Sequence, residues 1–194
     1  MEFYMNEQRE VVRESVRAFV AEEVRPIARQ MDEEDVFPVK AFRRAGELGL
    51  LDLNVPEEYG GSGVDLTTHC MIIEEVSKAS AALGMCMIAH SGLAMTVLNV
   101  LGTPEQKAKW LPKIVSGETI ASYAMTEPCG NGNDGAYSTV AKWENDGYRI
   151  NGTKCFVTNI EPADIYIVKA VTGNPGVFSY LLVERDTPGF PSAP

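Results

Sequence analysis

The chain has 194 residues, 45% of them hydrophobic, enough to bury a core in one or two domains. Its 27 acidic against 17 basic residues give a net charge of −10, so no basic stripe exists to neutralise phosphates, which argues against nucleic acid as a partner. Cys70, Cys86, Cys129 and Cys155 form no C-x-x-C pair, and His69 and His90 have no zinc-ligand spacing, so a reduced, metal-free cytoplasmic chain is expected, with the mitochondrial matrix open for a mature form.

The first fifteen residues are charged throughout and lack the apolar run of a signal peptide. Asn6 is placed to cap a helix reaching about Met31, with Val12, Val16, Phe19, Val20, Val24, Ile27 and Met31 on one face. Pro26 is expected to bend it or end its regular part. Pro38 opens a second helix, with Val39, Phe42, Ala45 and Leu48 inward and Gly49 as its stop. The glycines after Leu53-Asn54-Val55-Pro56 read as loop punctuation. A third helix from about Asp65 carries Met71, Ile72 and Val76. Its adjacent carboxylates Glu74 and Glu75 diverge by about 100° on a helix, which suits solvent better than acid–base work.

Residues 79–101 carry no charge. His90, Ser91, Thr96, Asn99 and two glycines temper this stretch, so a helix buried in a helical domain is expected, and no membrane span. Its methionines Met85, Met87 and Met95 are core filler or the wall of an adaptable acyl pocket. Thr103-Pro104-Glu105-Gln106 is a capping box opening the last helix.

From Thr119 the pattern turns to β. Residues 119–125, 137–143, 148–151, 155–158, 165–171 and 177–184 read as strands divided by turn signals such as Asn145-Asp146-Gly147 and Asn151-Gly152. Helices followed by strands define an α+β chain: an all-α domain over 1–118, then an antiparallel β-domain over 119–194, incomplete at its end. Between the first two strands, Tyr123-Ala124-Met125-Thr126-Glu127-Pro128 runs into a Gly/Asn loop. Gly130-x-Gly132-x-x-Gly135 has the letters of a dinucleotide fingerprint, but that motif needs a following helix, and residues 136–143 are β-branched and aromatic. The loop and the segment Lys154–Asn159 together offer an aromatic face, two hydroxyls and backbone amides. These suit a planar heteroaromatic ligand, and equally a plain β-domain with satisfied threonines.

Ordered motifs run along the whole chain: Pro56-Glu57-Glu58-Tyr59-Gly60-Gly61-x-Gly63, Gly102-Thr103-Pro104-Glu105-Gln106-Lys107, Leu111-Pro112 with Gly117-Glu118, Met125-Thr126-Glu127-Pro128, Gly147-Tyr148-x-x-Asn151-Gly152-x-Lys154, Thr158-Asn159 and Thr187-Pro188-Gly189-Phe190. In these the sequence resembles the acyl-CoA dehydrogenase family. The resemblance implies a helical domain, a middle β-domain and a C-terminal helical domain, bound FAD, and α,β-dehydrogenation of an acyl-CoA thioester, with electrons passed to an electron-transferring flavoprotein. It also implies a homo-oligomer. By position, Thr126 resembles the hydroxyl at the flavin pyrimidine edge and Thr158 the one near N5. Tyr123, Ala124 and Met125 supply backbone contacts, and Phe156 and Val157 the aromatic strand edge. Gly132 and Asn133 fall in the loop that meets the FAD phosphates and CoA, and Met95 with Asn133 is assigned to substrate. Phe156 stands where the family usually has Trp, and the family's Gly-Ser-Asp is altered to lose its Ser. No catalytic base is assigned within the chain: the family's carboxylate belongs to the C-terminal domain, absent from these 194 residues, so the chain alone is expected to be inactive. The competing expectation is a truncated homologue or split-enzyme subunit acting as a binding module.

Overall fold

The computed structural model describes residues 5–128, 137–173 and 177–190. Helix α1 (Glu7–Phe19) starts at the Asn6 cap, whose Oδ1 accepts from Arg9 N at 2.8 Å. It continues through a π-helical turn, Val20–Val24, into α2 (Arg25–Glu34). The wider turn sits just before Pro26, which lacks the N–H for a normal bond back to residue 22. The helix therefore loosens where the sequence reading placed a bend. Helix α3 (Val39–Glu47) follows, then α4 (Leu66–Ser77), capped by Asp65, whose carboxylate accepts from Thr68 N at 2.7 Å. Arg9 reaches across from α1 to Asp65 at 2.7 Å, and Arg17 to Glu75 at 3.0 Å.

The uncharged stretch is one continuous helix, Ala81–Leu101, made of α5 (Ala81–Met87), a π-helical segment (Ile88–Met95) and α6 (Thr96–Leu101). It is long and apolar enough to cross a membrane, but half of its apolar window is packed inside the molecule. Leu83, Met87, His90, Ser91, Met95 and Leu98 are buried, whereas Met85, Leu93, Val100 and Leu101 lie exposed along the other side. Helix α7 (Pro104–Val115) opens on the expected capping box, Gln106 N to Thr103 Oγ1 at 3.3 Å and Thr103 N to Gln106 Oε1 at 2.9 Å. Its end packs so closely on α3 that a Cβ on Gly46 would stand 2.2 Å from the Ser116 carbonyl oxygen.

The sheet contains β1 (Ala121–Ala124), β2 (Val140–Glu144), β3 (Gly147–Asn151), β4 (Ile165–Val171) and β5 (Phe178–Glu184). Helices followed by a sheet bear out the α+β class. The pairing differs from the antiparallel expectation in one respect: β1 runs parallel to β4, from Ala121↔Ile165 to Ala124↔Val168, and β2 meets β4 in parallel at Val140↔Val171. The β2–β3 hairpin and β4–β5 are antiparallel. The physical reason is chain path. The stretch between β1 and β4 holds a whole hairpin, long enough for the crossover that parallel neighbours require, whereas a short turn would have forced antiparallel pairing. Residues 155–158, read as a strand, are irregular.

Strand β4 is buried on both faces. Tyr166 and Val168 join a core cluster with Phe42, Leu51, Ile72, Leu83 and Met87, while Ile165 and Ile167 join a second with Met95, Leu98, Leu111 and Ile114. Alternate side chains thus enter two cores built with the helices.

Candidate functional site

Two chain segments meet where β1 runs out. Strand β1 delivers Tyr123 and Ala124, then Met125 and Thr126 leave the sheet. Cys155 N donates to the Thr126 carbonyl oxygen at 2.9 Å, so the segment after β3 lies directly against it. Ser122 Oγ on β1 donates to the Thr158 carbonyl oxygen at 2.6 Å, a second stitch between the same two segments. The sequence-predicted residues Tyr123, Ala124, Met125, Thr126, Phe156, Val157 and Thr158 are therefore brought together.

Phe156 is the most unusual of them. The residue is 93% exposed, and its backbone sits in the left-handed region at φ 53. A bulky non-glycine residue there is strained, and such strain is kept where the surroundings over-determine it. Those surroundings are visible: Cys155 is tied to Thr126 on one side, and on the other Asn159, also left-handed at φ 64, donates from Nδ2 to the Cys86 carbonyl oxygen at 2.9 Å. Helix α5 thus holds the far end of the loop. The left-handed backbone also explains why the β-prone letters Phe-Val-Thr do not form a strand. Thr126 and Thr158 are half-buried, and among the described residues neither hydroxyl has a hydrogen-bond partner. The protruding ring and the two available hydroxyls fit a flat heteroaromatic group with a polar edge.

The same segments are joined by a buried ion pair that the sequence analysis did not identify. Glu127 Oε1 meets Lys154 Nζ at 2.7 Å, and the Glu127 carboxylate also accepts from Ser138 N at 2.6 Å, Ser138 Oγ at 2.7 Å and Thr139 N at 3.0 Å. Burial alone would raise the Glu127 carboxyl, but the donors from Lys154, Thr139 and Ser138 outweigh it and hold it well below the usual carboxylate range. The signal available in the sequence was Lys154 itself, an isolated Lys close to a predicted binding edge.

Tyr123 faces Tyr180 on β5, hydroxyl to hydroxyl at 3.5 Å, and burial with that neighbour pushes its phenol up. Met95 is a correction to the assignment of substrate residues. It is fully buried among Leu98, Leu111 and Ile114, so it fills the core and presents no surface to a substrate; Met85 alone of the three methionines is exposed. Adaptable Met at helical spacing went to packing. Gly132 and Asn133 lie outside the described residues. Residues 137–139 have no regular structure and 140–144 form β2, so the helix demanded by the dinucleotide fingerprint is not found among the described residues that follow Gly135.

His90 lies inside the molecule. Its Nε2 donates to the Ile114 carbonyl oxygen at 3.0 Å and its Nδ1 accepts from Ala121 N at 3.0 Å, with Phe42 edge-on at 5.0 Å. Both ring nitrogens are used in joining the long helix, α7 and β1, and burial pushes its pKa down to about 4.

A helical layer packed on a mixed sheet, with an exposed aromatic loop beside a strand end, is the architecture of an α+β chain. The models for the acyl-CoA dehydrogenase N-terminal domain and middle domain match residues 6–118 and 122–194. The chain belongs to the acyl-CoA dehydrogenase family. It is 37% identical over 194 residues to the short-chain specific acyl-CoA dehydrogenase of Clostridium acetobutylicum, covering 98% of this chain and 51% of that one. The Bacillus anthracis acyl-CoA dehydrogenase solved with FAD superposes with a TM-score of 0.91 at 33% identity, over 98% of this chain and 33% of that chain. A chain in the structure of the electron transferring flavoprotein of Acidaminococcus fermentans matches with a TM-score of 0.91 at 31% identity, over 97% of this chain and 50% of its own length. The chain spans about half the length of the curated relatives it matches.

Proposed function

We propose that this chain is the N-terminal part of a FAD-dependent acyl-CoA dehydrogenase. Phe156, held outward in a strained left-handed conformation between Thr126 and Thr158, is the observation that carries this reading. When bound, FAD supplies the hydride-accepting ring. By the family resemblance, Thr126 with the backbone of Tyr123, Ala124 and Met125 would hold the ring's polar pyrimidine edge, Thr158 would supply a hydroxyl near N5, and Phe156 and Val157 would shield its face. Gly132 and Asn133 belong to the phosphate and CoA loop. A short or branched acyl-CoA is the substrate class, and the likeness to the short-chain specific Clostridium enzyme supports the short one. An electron-transferring flavoprotein is the acceptor that the family resemblance implies. The helical unit ends at 118 and the β-unit begins at 119; the working enzyme is a homo-oligomer in the cytoplasm and binds neither nucleic acid nor membrane.

In this reading the proton-abstracting base is supplied from outside the described residues. Removing a Cα proton needs a base within about 3 Å of it, directly or through one water. The carboxylates closest in sequence to this role are otherwise engaged: Glu75 with Arg17 at 3.0 Å, Glu74 with Lys78 at 3.1 Å, and Glu127 with Lys154 at 2.7 Å. The second reading, a binding module without catalysis, shares the same cofactor surface. It is separated from the first by adding the C-terminal half of a relative and assaying butyryl-CoA oxidation with an artificial electron acceptor.

Titration of the chain with FAD, followed by flavin fluorescence, tests the cofactor assignment. Weak but saturable binding is expected, because a cofactor held on one side keeps much of its surface in water, whereas good sites bury roughly 70–90% of a ligand. Phe156→Ala and Thr158→Ala should each weaken it. Equal affinity in wild type and both variants would contradict the assignment.

A further inference from the structure

We infer that Lys154, through its buried pair with Glu127, is a positioning residue that fixes the Met125–Thr126 segment against the Phe156–Thr158 loop. This rests on the FAD reading above. The side chain of Lys154 is 10% exposed and that of Glu127 fully buried. An ammonium has three donors and no acceptor. Two of its contacts are Glu127 Oε1 at 2.7 Å and the Met125 carbonyl oxygen at 3.0 Å, and the Tyr137 ring lies 5.1 Å away.

The two protein acceptors flank Thr126 on either side. The next residue, Cys155, bonds the Thr126 carbonyl oxygen itself. Three consecutive residues after β1 are therefore gripped by two consecutive residues of the other segment, and Phe156 follows at once. Glu127 extends the grip to a third segment through Ser138 and Thr139, at the entry to β2. Both members of the pair are buried, and neither is assigned a contact with the cofactor. Its role is to set the separation and orientation of the two threonines and the aromatic ring, as supporting residues do behind any precise site.

The double variant Lys154→Met with Glu127→Gln removes both charges, keeping the carboxylate's shape and shortening the lysine chain by its terminal nitrogen alone, so no ion is left buried alone. Hydrogen exchange of the Cys155 amide and flavin-fluorescence titration with FAD are measured on the full chain. The expected result is a folded protein with unchanged far-ultraviolet dichroism, faster exchange at Cys155, and FAD affinity lowered about tenfold. Lys154→Arg, which keeps the charge and remains folded even where the double variant does not, is expected to fall between wild type and the double variant on both readouts. Wild-type exchange and affinity in both variants overturn the proposal. Faster exchange at Cys155 in a series where even wild type shows no FAD binding contradicts the FAD reading while leaving the link between the two segments standing.

Discussion

Single residues here do work that their identity alone does not announce. His90 could have been a base reaching a pocket, but both its nitrogens are consumed in backbone bonds across three elements. Its pKa falls from the ordinary 6.5 to about 4 because burial disfavours the imidazolium. Between those values the unfolded chain binds a proton that the folded chain does not, so stability rises with pH there. The contribution is complete above about pH 6.5, shrinks as pH falls, and reaches its limit near pH 4, a swing on the order of 3 kcal/mol for this one group. His69 is also lowered by burial, and paired carboxylates weaken the fold further once the pH nears their unfolded values, so the comparison must be with His90→Gln. Urea midpoints at pH 7 and pH 5 should draw apart more in wild type than in the variant. Parallel behaviour would show that His90 is not held neutral.

At the scale of elements, the long helix Ala81–Leu101 shows what an uncharged segment does with its two sides. Leu98 is 3% exposed in the core formed with β1 and α7, and Val100, two residues on, is 68% exposed. Leu98→Ala should cost about 2–5 kcal/mol in denaturant unfolding, and Val100→Ala roughly 0.5 kcal/mol or less. Similar losses at both positions would mean that the helix is packed all round. Much of this layer was legible beforehand: the Asn6 and Asp65 caps, the Thr103–Gln106 box and the period of the apolar residues each name a helix from local chemistry. The hairpin was equally legible, because Asn145 and Asp146, both left-handed, turn the chain between β2 and β3. Three features were not. The parallel pairing of β1 with β4 depends on where the chain returns, which no local pattern records. The left-handed backbone at Phe156 is imposed by distant partners, Thr126 and Cys86, against the β propensity of its own letters. Burial of Met95 depends on which side of an all-apolar helix faces inward, and a stretch without charges gives little sign of that.

The whole molecule is organised by a sheet that shares both of its cores with the helices, so the edge proposed to bind the flavin ring is held from two directions. Helix α5 anchors the loop after Phe156 through Asn159, and β1, whose end carries Thr126, is fastened to the long helix by His90. Among the described residues, every group proposed to meet the flavin lies on these two braced segments. The measurement that tests this claim most directly is a map of backbone amide shifts as FAD is titrated into the 194-residue chain. The account predicts saturable shifts concentrated on residues 123–126 and 155–158, with little change in the open cleft formed by Thr67, Cys70, Met71 and Glu74 on α4. Shifts centred on that cleft, or a spectrum unchanged at saturating FAD, would contradict it.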